Sequence, residues 1–187
     1  MADVATIVQR CRRGDALAWE ALVRRYQSRV YAVAFHYLRD ADEARDLAQD
    51  VFIKVYRNLD SFTGEGFLPW LLRLIRNGAI DRLRRKKARP PATDVPVEDG
   101  MQLPATGPSP EDAWVTDARR RLVYRALYRM SEQNREMILL KEIQGLNINE
   151  IADLLGVPVG TVKSRSSRAR LELARRVVEL DPSYGAP

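Results

Sequence analysis

The chain has 187 residues, enough for one compact domain or two small ones. A single cysteine, Cys11, and a single histidine, His36, exclude an internal disulfide framework and a Cys/His zinc site, and no metal or cofactor is expected. Lys and Arg number 31 against 25 Asp and Glu, a formal charge of +6 whose meaning rests on its placement. The opening MADVATIVQRCRRGD lacks a basic stretch followed by an apolar run, and no segment approaches the length of a bilayer span. A cytoplasmic protein with no membrane insertion is the expectation.

Residues 15–86 read as helix after helix. Trp19, Leu22, Val23, Tyr26, Val30, Val33, Ala34 and Tyr37 recur at three and four residues, one apolar stripe. Asp40 and Asp42 break that pattern and supply capping oxygens. A second helix carries Ala44, Leu47, Ala48, Val51, Phe52, Val55 and Leu59 on one side. Its opposite face shows Asp46, Gln49, Asp50 and Ile53 at i, i+3, i+4 and i+7, an acidic strip with one apolar tooth suited to docking on a groove or coiled coil. SFTGEGF, residues 61–67, is a glycine-containing loop. A third helix begins near Pro69 and turns Trp70, Leu71, Leu74, Ile75 and Leu83 inward.

Charge then separates along the chain. Residues 73–89 hold eight Lys or Arg against one acid, Asp81. Residues 90–117 hold six acids and no base, and residues 163–176 hold six bases against Glu172. Two basic blocks around an acidic bridge suit two polyanion-facing surfaces. The bridge carries six of the ten prolines between residues 88 and 110 and reads as an extended linker. Beyond it, Ser109-Pro110-Glu111 resembles a helix start, and SEQNREMILLKEIQG a helix that ends at a left-handed Gly145.

EIADLLGVPVGTVKSRSSRAR, from residue 150, then reads as helix, turn, helix. Asn147 and Glu150 form a relaxed capping box, and Ile148, Ile151, Ala152 and Leu155 a buried stripe. Gly156-Val157-Pro158 makes the turn, and Val159, Val162, Ala169 and Leu173 anchor the last helix. Its other faces carry Thr161, Lys163, Ser164, Arg165, Ser167, Arg168 and Arg170. Hydroxyls and Lys bind phosphate oxygens, and Arg forks on to a guanine edge, so the helix suits a major groove. The predicted fold is all-α: two small helical domains joined by a flexible, Pro-rich acidic linker, the C-terminal one with a helix-turn-helix. The expected boundaries are 1–88, 89–110 for the linker, 111–180, and a tail of 181–187.

Taken in order, DLAQDVFIKVYRNLDSF, WLLRLIRNGAIDRLRRKK and GVPVGTVKSRSSRAR resemble the bacterial sigma factors of the extracytoplasmic-function group, over roughly residues 15–86 and 115–178. The resemblance implies a subunit that binds RNA polymerase core and directs initiation at promoters, not an enzyme. It implies docking on the clamp helices of the largest polymerase subunit through Asp46, Gln49, Asp50, Phe52 and Ile53. It implies capture of a −10 base near Asn58, Ser61 and Phe62, with Arg73, Arg76, Asn77, Arg82 and Arg85 beside single-stranded DNA. Thr161, Lys163, Ser164, Arg165, Ser167 and Arg168 fall on the helix that reads duplex at the −35 element. The flap of the second-largest subunit and an anti-sigma factor are further implied partners. Two positions depart from the family pattern: the loop FTGEGFLPW is one residue short, and Ser166 stands where Ile or Leu is usual. A buried Ser166 is expected to bond to a backbone carbonyl one turn back.

The alternative is an ordinary two-domain helix-turn-helix regulator that binds duplex operator without polymerase. A nucleic-acid-processing enzyme would need a nucleophile–base pair or metal cluster, and none stands out in the sequence.

Overall fold

The computed structural model describes residues 3–63, 66–88 and 110–185, with side chains in the last stretch from Ala118 onward. All of the described elements are helical. The chain divides into two compact units, residues 1–104 and 105–187. Ser109, the expected N-cap, and the bridge before it lie outside the described residues.

The first unit contains α1 (Val4–Arg12), α2 (Ala16–Leu38), α3 (Ala41–Asn58), a 3-10 turn (Leu59–Ser61) and α4 (Phe67–Ala88). Helix α1 is absent from the sequence reading, although Ile7 and Val8 are buried and seat it against α2. Gly14, at φ +80°, reverses the chain. Asp15 then caps α2, accepting from the N–H groups of Leu17 and Ala18 at 3.0 and 3.1 Å. Asp40 caps α3 in the same way, accepting from Asp42 and Glu43. Asp42, also expected to cap, instead turns its carboxylate to Arg45.

Leu22, Tyr26, Val30 and Val33 of α2 meet Leu47, Val51 and Val55 of α3 and Leu71, Leu72 and Ile75 of α4 in one core. The apolar stripes are narrower than their sequence pattern. Ala48, Phe52, Trp70 and Leu74 are half-buried, and Leu83 is exposed, because α4 runs past the end of the core before reaching it. Gly78 lets α3 and α4 approach closely. A Cβ there would lie 2.6 Å from the tip of the fully buried Leu47.

The second unit contains α5 (Pro110–Tyr128), α6 (Glu132–Ile138), α7 (Ile148–Leu155) and α8 (Val159–Leu180), and α5, α6 and α7 all pack on α8. The helix expected to run on to Gly145 widens after Ile138 into a π-helical turn, Leu139–Ile143. The N–H of Gln144 donates to Leu139 and that of Leu146 to Leu140, with Gly145 at φ +74° closing the end. Met137, Ile138, Leu139 and Leu140 are all buried, so this segment is apolar around most of its circumference rather than along one stripe.

Candidate nucleic-acid interface

Local chemistry seats α8. The Asn147 side chain accepts from the Glu150 N–H at 3.0 Å, and the Glu150 carboxylate accepts from the Asn147 N–H at 2.7 Å, completing the expected capping box. Gly156 ends α7 at φ +66°, and Pro158 precedes the first turn of α8. The buried residues of α7 are Ile151, Ala152 and Leu154. Ile148 and Leu155, expected in that stripe, are only half-buried, while Leu154, outside it, is buried.

On α8 the buried positions are Val162, Ser166 and Ala169, spaced four and three residues apart. Val159 is 38% exposed and Leu173 half-buried, so the anchor is shorter than the sequence pattern. Ser166 is 2% exposed, and its hydroxyl has no hydrogen-bond partner among the described residues. The expected bond to a carbonyl one turn back is therefore not made.

Lys163, Ser164, Ser167, Arg168 and Arg170 are exposed on the outer face, and Thr161 and Arg165 are half-buried at its edge. Their bonds are short-range: the Ser164 hydroxyl donates to the Thr161 carbonyl at 3.0 Å, and Arg168 Nε to the Ser164 carbonyl at 3.4 Å. A long-range anchor lies one turn farther on. Glu172 accepts from the Ser131 N–H at 2.9 Å, the Ser131 hydroxyl at 3.1 Å and Asn134 Nδ2 at 2.5 Å. Its carboxylate thus caps the start of α6 from α8. Partial burial pushes the Glu172 carboxyl up, but the bonds from Asn134 and Ser131 outweigh it and hold the group below its ordinary value. Sequence reading missed this role, since Glu172 stood out only as the lone acid in a basic block.

In the first unit, Asp46, Gln49, Asp50 and Ile53 are exposed along α3 and Phe52 is half-buried behind them. Tyr56 continues the same face one turn on. It is 69% exposed and edge-on to Trp19 at 5.2 Å, and extending the i, i+3, i+7 spacing would have found it.

The residues expected at the −10 position divide. Asn58 Nδ2 donates to the Lys54 carbonyl at 2.8 Å, and the Ser61 hydroxyl to the Asn58 carbonyl at 2.7 Å, so both shape the turn that ends α3. Phe62 is 6% exposed, packed between Phe67 and Trp70 with ring centroids 5.7 and 5.2 Å away. Its ring is a floor rather than an open surface. Arg73, Asn77 and Arg85 are exposed on α4 and Arg76 is half-buried.

Arg82 faces inward to its neighbours. One Nη meets Glu43 at 2.8 Å and the other meets Asp50 at 2.5 Å, leaving the side chain 17% exposed. Partial burial lowers its pKa, but the bonds to Glu43 and Asp50 outweigh that and raise it. Two residues expected on different surfaces, Asp50 and Arg82, are thus partners.

Among the described residues no cluster of three or more His, Cys, Asp or Glu stands ready for a metal ion, and no helix is long and apolar enough to cross a membrane. The family model for Sigma-70 region 2 matches residues 22–89, and that for Sigma-70, region 4 matches residues 120–173. The chain is 38% identical over 170 residues to the RNA polymerase sigma-H factor of Pseudomonas aeruginosa, covering 88% of each protein. It is 36% identical over 180 residues to the ECF RNA polymerase sigma-E factor of Escherichia coli, covering 93% of this chain and 94% of that one. Its fold is similar to that of CnrH in complex with the cytosolic domain of CnrY, at TM-score 0.64 and 24% identity over 95% of this chain and 97% of that one. It is also similar to the sigma factor RpoE in complex with the anti-sigma factor NepR from Bartonella quintana, at TM-score 0.62 and 24% identity over 87% and 97%.

Proposed function

Because the chain belongs to the extracytoplasmic-function sigma factors of the sigma-70 family, which direct RNA polymerase to promoters at initiation, we propose that its two units divide that task residue by residue. In the first unit, Asp46, Gln49, Asp50 and Ile53 dock on the clamp helices of the largest polymerase subunit, with Phe52 supporting them from behind. The turn carrying Asn58 and Ser61, floored by Phe62, takes an unstacked base of the −10 element. Arg73, Arg76, Asn77 and Arg85, continued by Arg84, Lys86 and Lys87, follow the single-stranded backbone. In the free chain Arg82 joins α4 to α3.

In the second unit, Thr161, Lys163, Ser164, Arg165, Ser167 and Arg168 face duplex at the −35 element, and the same unit meets the polymerase flap. Such a protein is an initiation factor and not itself a catalyst. The Bartonella sigma factor is seen with an anti-sigma factor, and we extend the proposal to a partner of that kind for this chain.

One observation carries the reading: the face of hydroxyls and guanidinium groups on α8 belongs to one unit, and the acidic face of α3 with the cationic end of α4 to the other. Neither surface alone selects and opens a promoter, and a polymerase scaffold that fixes their spacing raises the effective concentration of each at its site. Run-off transcription with purified core polymerase, with and without this chain, tests it. Promoter-dependent transcripts should require both. Equally tight duplex binding by the chain alone, with no gain in transcription, would instead make it an ordinary regulator.

A further inference from the structure

We propose that Arg12, on a helix that the sequence reading did not find, is a positioning residue for capture of the −10 base. The inference rests on the assignment of base capture to the turn after α3. Arg12 reaches that turn from about fifty residues away in sequence. Its Nε donates to the Leu59 carbonyl at 3.0 Å and an Nη to the Phe62 carbonyl. Its guanidinium carbon sits 5.9 Å from the centre of the Phe62 ring.

The Phe62 carbonyl lies just past the end of the 3-10 turn, where carbonyls lose their intrahelical donors, and the Leu59 carbonyl keeps a second lone pair for Arg12. A cation at such a C-terminal end also meets a favourable dipole. The Phe62 N–H already donates to Leu59 at 3.2 Å, so Arg12 closes both ends of a turn that is folded on itself. A planar fork of fixed geometry bridges two carbonyls three residues apart and sets their separation, whereas a lysine ammonium on a flexible stem can bond them without fixing it.

The anchor behind Arg12 is firm. Ile7 and Val8 are buried, and Arg10 Nε donates to Asp15, the cap of α2, at 2.8 Å. On the other side the Phe62 ring is held by Phe67 and Trp70, and Phe67 by Tyr26 at 5.1 Å. Asn58 and Ser61 are therefore presented from a turn fixed on two sides. Such pre-organisation is what a base-reading surface needs, since a shift of about 1 Å in a supporting shell loosens the contacts it holds. Arg12 acts on the DNA without touching it.

The test uses the full chain assembled with core polymerase on a promoter carrying a preformed −10 bubble, with each of the four bases in turn at the captured position. The reading is the ratio of affinities between the preferred base and the others. Arg12→Ala should leave core binding and −35 duplex binding at wild-type strength while that ratio falls about tenfold, the size of one lost base-reading contact. Arg12→Lys keeps the charge and should recover only a minor part of the ratio. An Asn58→Ala/Ser61→Ala double variant reports on the turn itself and should lose the ratio as well.

If the double variant loses discrimination while Arg12→Ala keeps it, the role of Arg12 is refuted and the base-capture assignment stands. If the double variant keeps discrimination, the assignment fails and the inference falls with it. A uniform weakening on all four bases at constant ratio makes Arg12 merely structural and overturns the proposal. Should Arg12→Ala fold poorly, Arg12→Lys decides alone: a native ratio there refutes the two-carbonyl fork.

Discussion

The two units treat charge in opposite ways. In the first, cationic side chains from distant parts of the chain bind their own domain: Arg12 the carbonyls of Leu59 and Phe62, Arg82 the carboxylates of Glu43 and Asp50. In the second, the outward residues of α8 make bonds of one turn, as Ser164 does to Thr161 and Arg168 to Ser164. The long-range polar anchor there, Glu172, lies beyond the proposed reading face. Function and stability are therefore entangled on the first unit and separable on the second. Substitutions on α3 and α4 should change both folding and binding. Substitutions on the outer face of α8 should change binding alone.

The largest effect expected from this contrast is on polymerase docking. Asp46 and Asp50 are both exposed on α3, but only Asp50 is held by Arg82. Reversing both to Lys should weaken core binding by roughly 2–5 kcal/mol, the range for a charged group lost from an interface. The singles should differ. Asp46→Lys should weaken binding with an unchanged unfolding midpoint, whereas Asp50→Lys should also lower the midpoint by placing a cation against Arg82. Equilibrium binding to purified core, paired with urea unfolding, reads both. Equal behaviour of the two singles would break the contrast, and wild-type binding by the double variant would remove the docking face.

The next effect is again on the first unit and depends on pH. His36 is half-buried near the end of α2, edge-on to Tyr37, and its Nε2 has no partner among the described residues. Burial, with Arg39 adding to it, lowers its pKa from 6.5 to about 4. The unfolded chain thus binds this proton more readily than the folded one. The stability His36 contributes is complete above pH 6.5 and is lost as the pH falls from 6.5 towards 4. A shift of this size corresponds to about 3 kcal/mol at most, reached only below the folded value. The carboxylates of Asp15 and Glu172, held below their ordinary values, lose their contributions only at still lower pH. Unfolding midpoints compared at pH 7.5 and 5 should therefore drop for the wild type and much less for His36→Gln. Parallel curves for the two proteins would show that this histidine is not the group responsible.

How much of this was visible beforehand follows from sequence separation. The capping box at Asn147 and Glu150, the left-handed Gly145 and the basic outer face of α8 are local patterns, and all were legible. The core of α2 and α3 followed from spacing in the same way. The pairing of Arg82 with Asp50 and Glu43 spans 32 and 39 residues, and that of Arg12 with Leu59 and Phe62 spans 47 and 50. No periodicity encodes such distances, and a run of arginines reads as one cationic surface until the fold shows which of them is occupied. Helix α1 was legible but missed: Val4, Ile7, Val8 and Cys11 stand at i, i+3, i+4 and i+7, a helical stripe only two turns long beside the three arginines Arg10, Arg12 and Arg13. Phe62 was placed at the −10 surface by resemblance, while its environment is the aromatic cluster with Phe67 and Trp70.

On the second unit the expected effects are smaller and cleaner. Removing Arg165 or Arg168 should cost roughly 1–3 kcal/mol on −35 duplex if the side chain reads a base edge, with relaxed preference at one position. If it contacts phosphate, binding should weaken on all sequences alike and the dependence on salt should flatten. Neither change should move the unfolding midpoint, since neither side chain anchors the core. Arg84→Ala/Arg85→Ala/Lys86→Ala should leave −35 duplex binding intact and reduce permanganate reactivity of the −10 region in the assembled polymerase. Normal opening by that variant together with a −35 defect would reverse the division between the units.

The smallest effect concerns the seat of α8. Ser166 occupies a buried position between Val162 and Ala169, where its hydroxyl finds no acceptor or donor among the described residues. An unpaired buried hydroxyl costs about 1–3 kcal/mol relative to solvation in the unfolded chain. Alanine removes that cost, leaves a void of only one oxygen atom, and is the better helix former by about 0.5 kcal/mol. Ser166→Ala should therefore stabilise the unit by about 1 kcal/mol, seen as roughly fivefold slower hydrogen exchange of the α8 amides. Binding to −35 duplex should be unchanged, because the outer face keeps its side chains and its register. Faster exchange in the variant would mean that the hydroxyl does find a partner, a carbonyl on its own helix or a bound water, and that the polar seat contributes to holding the reading helix rather than weakening it.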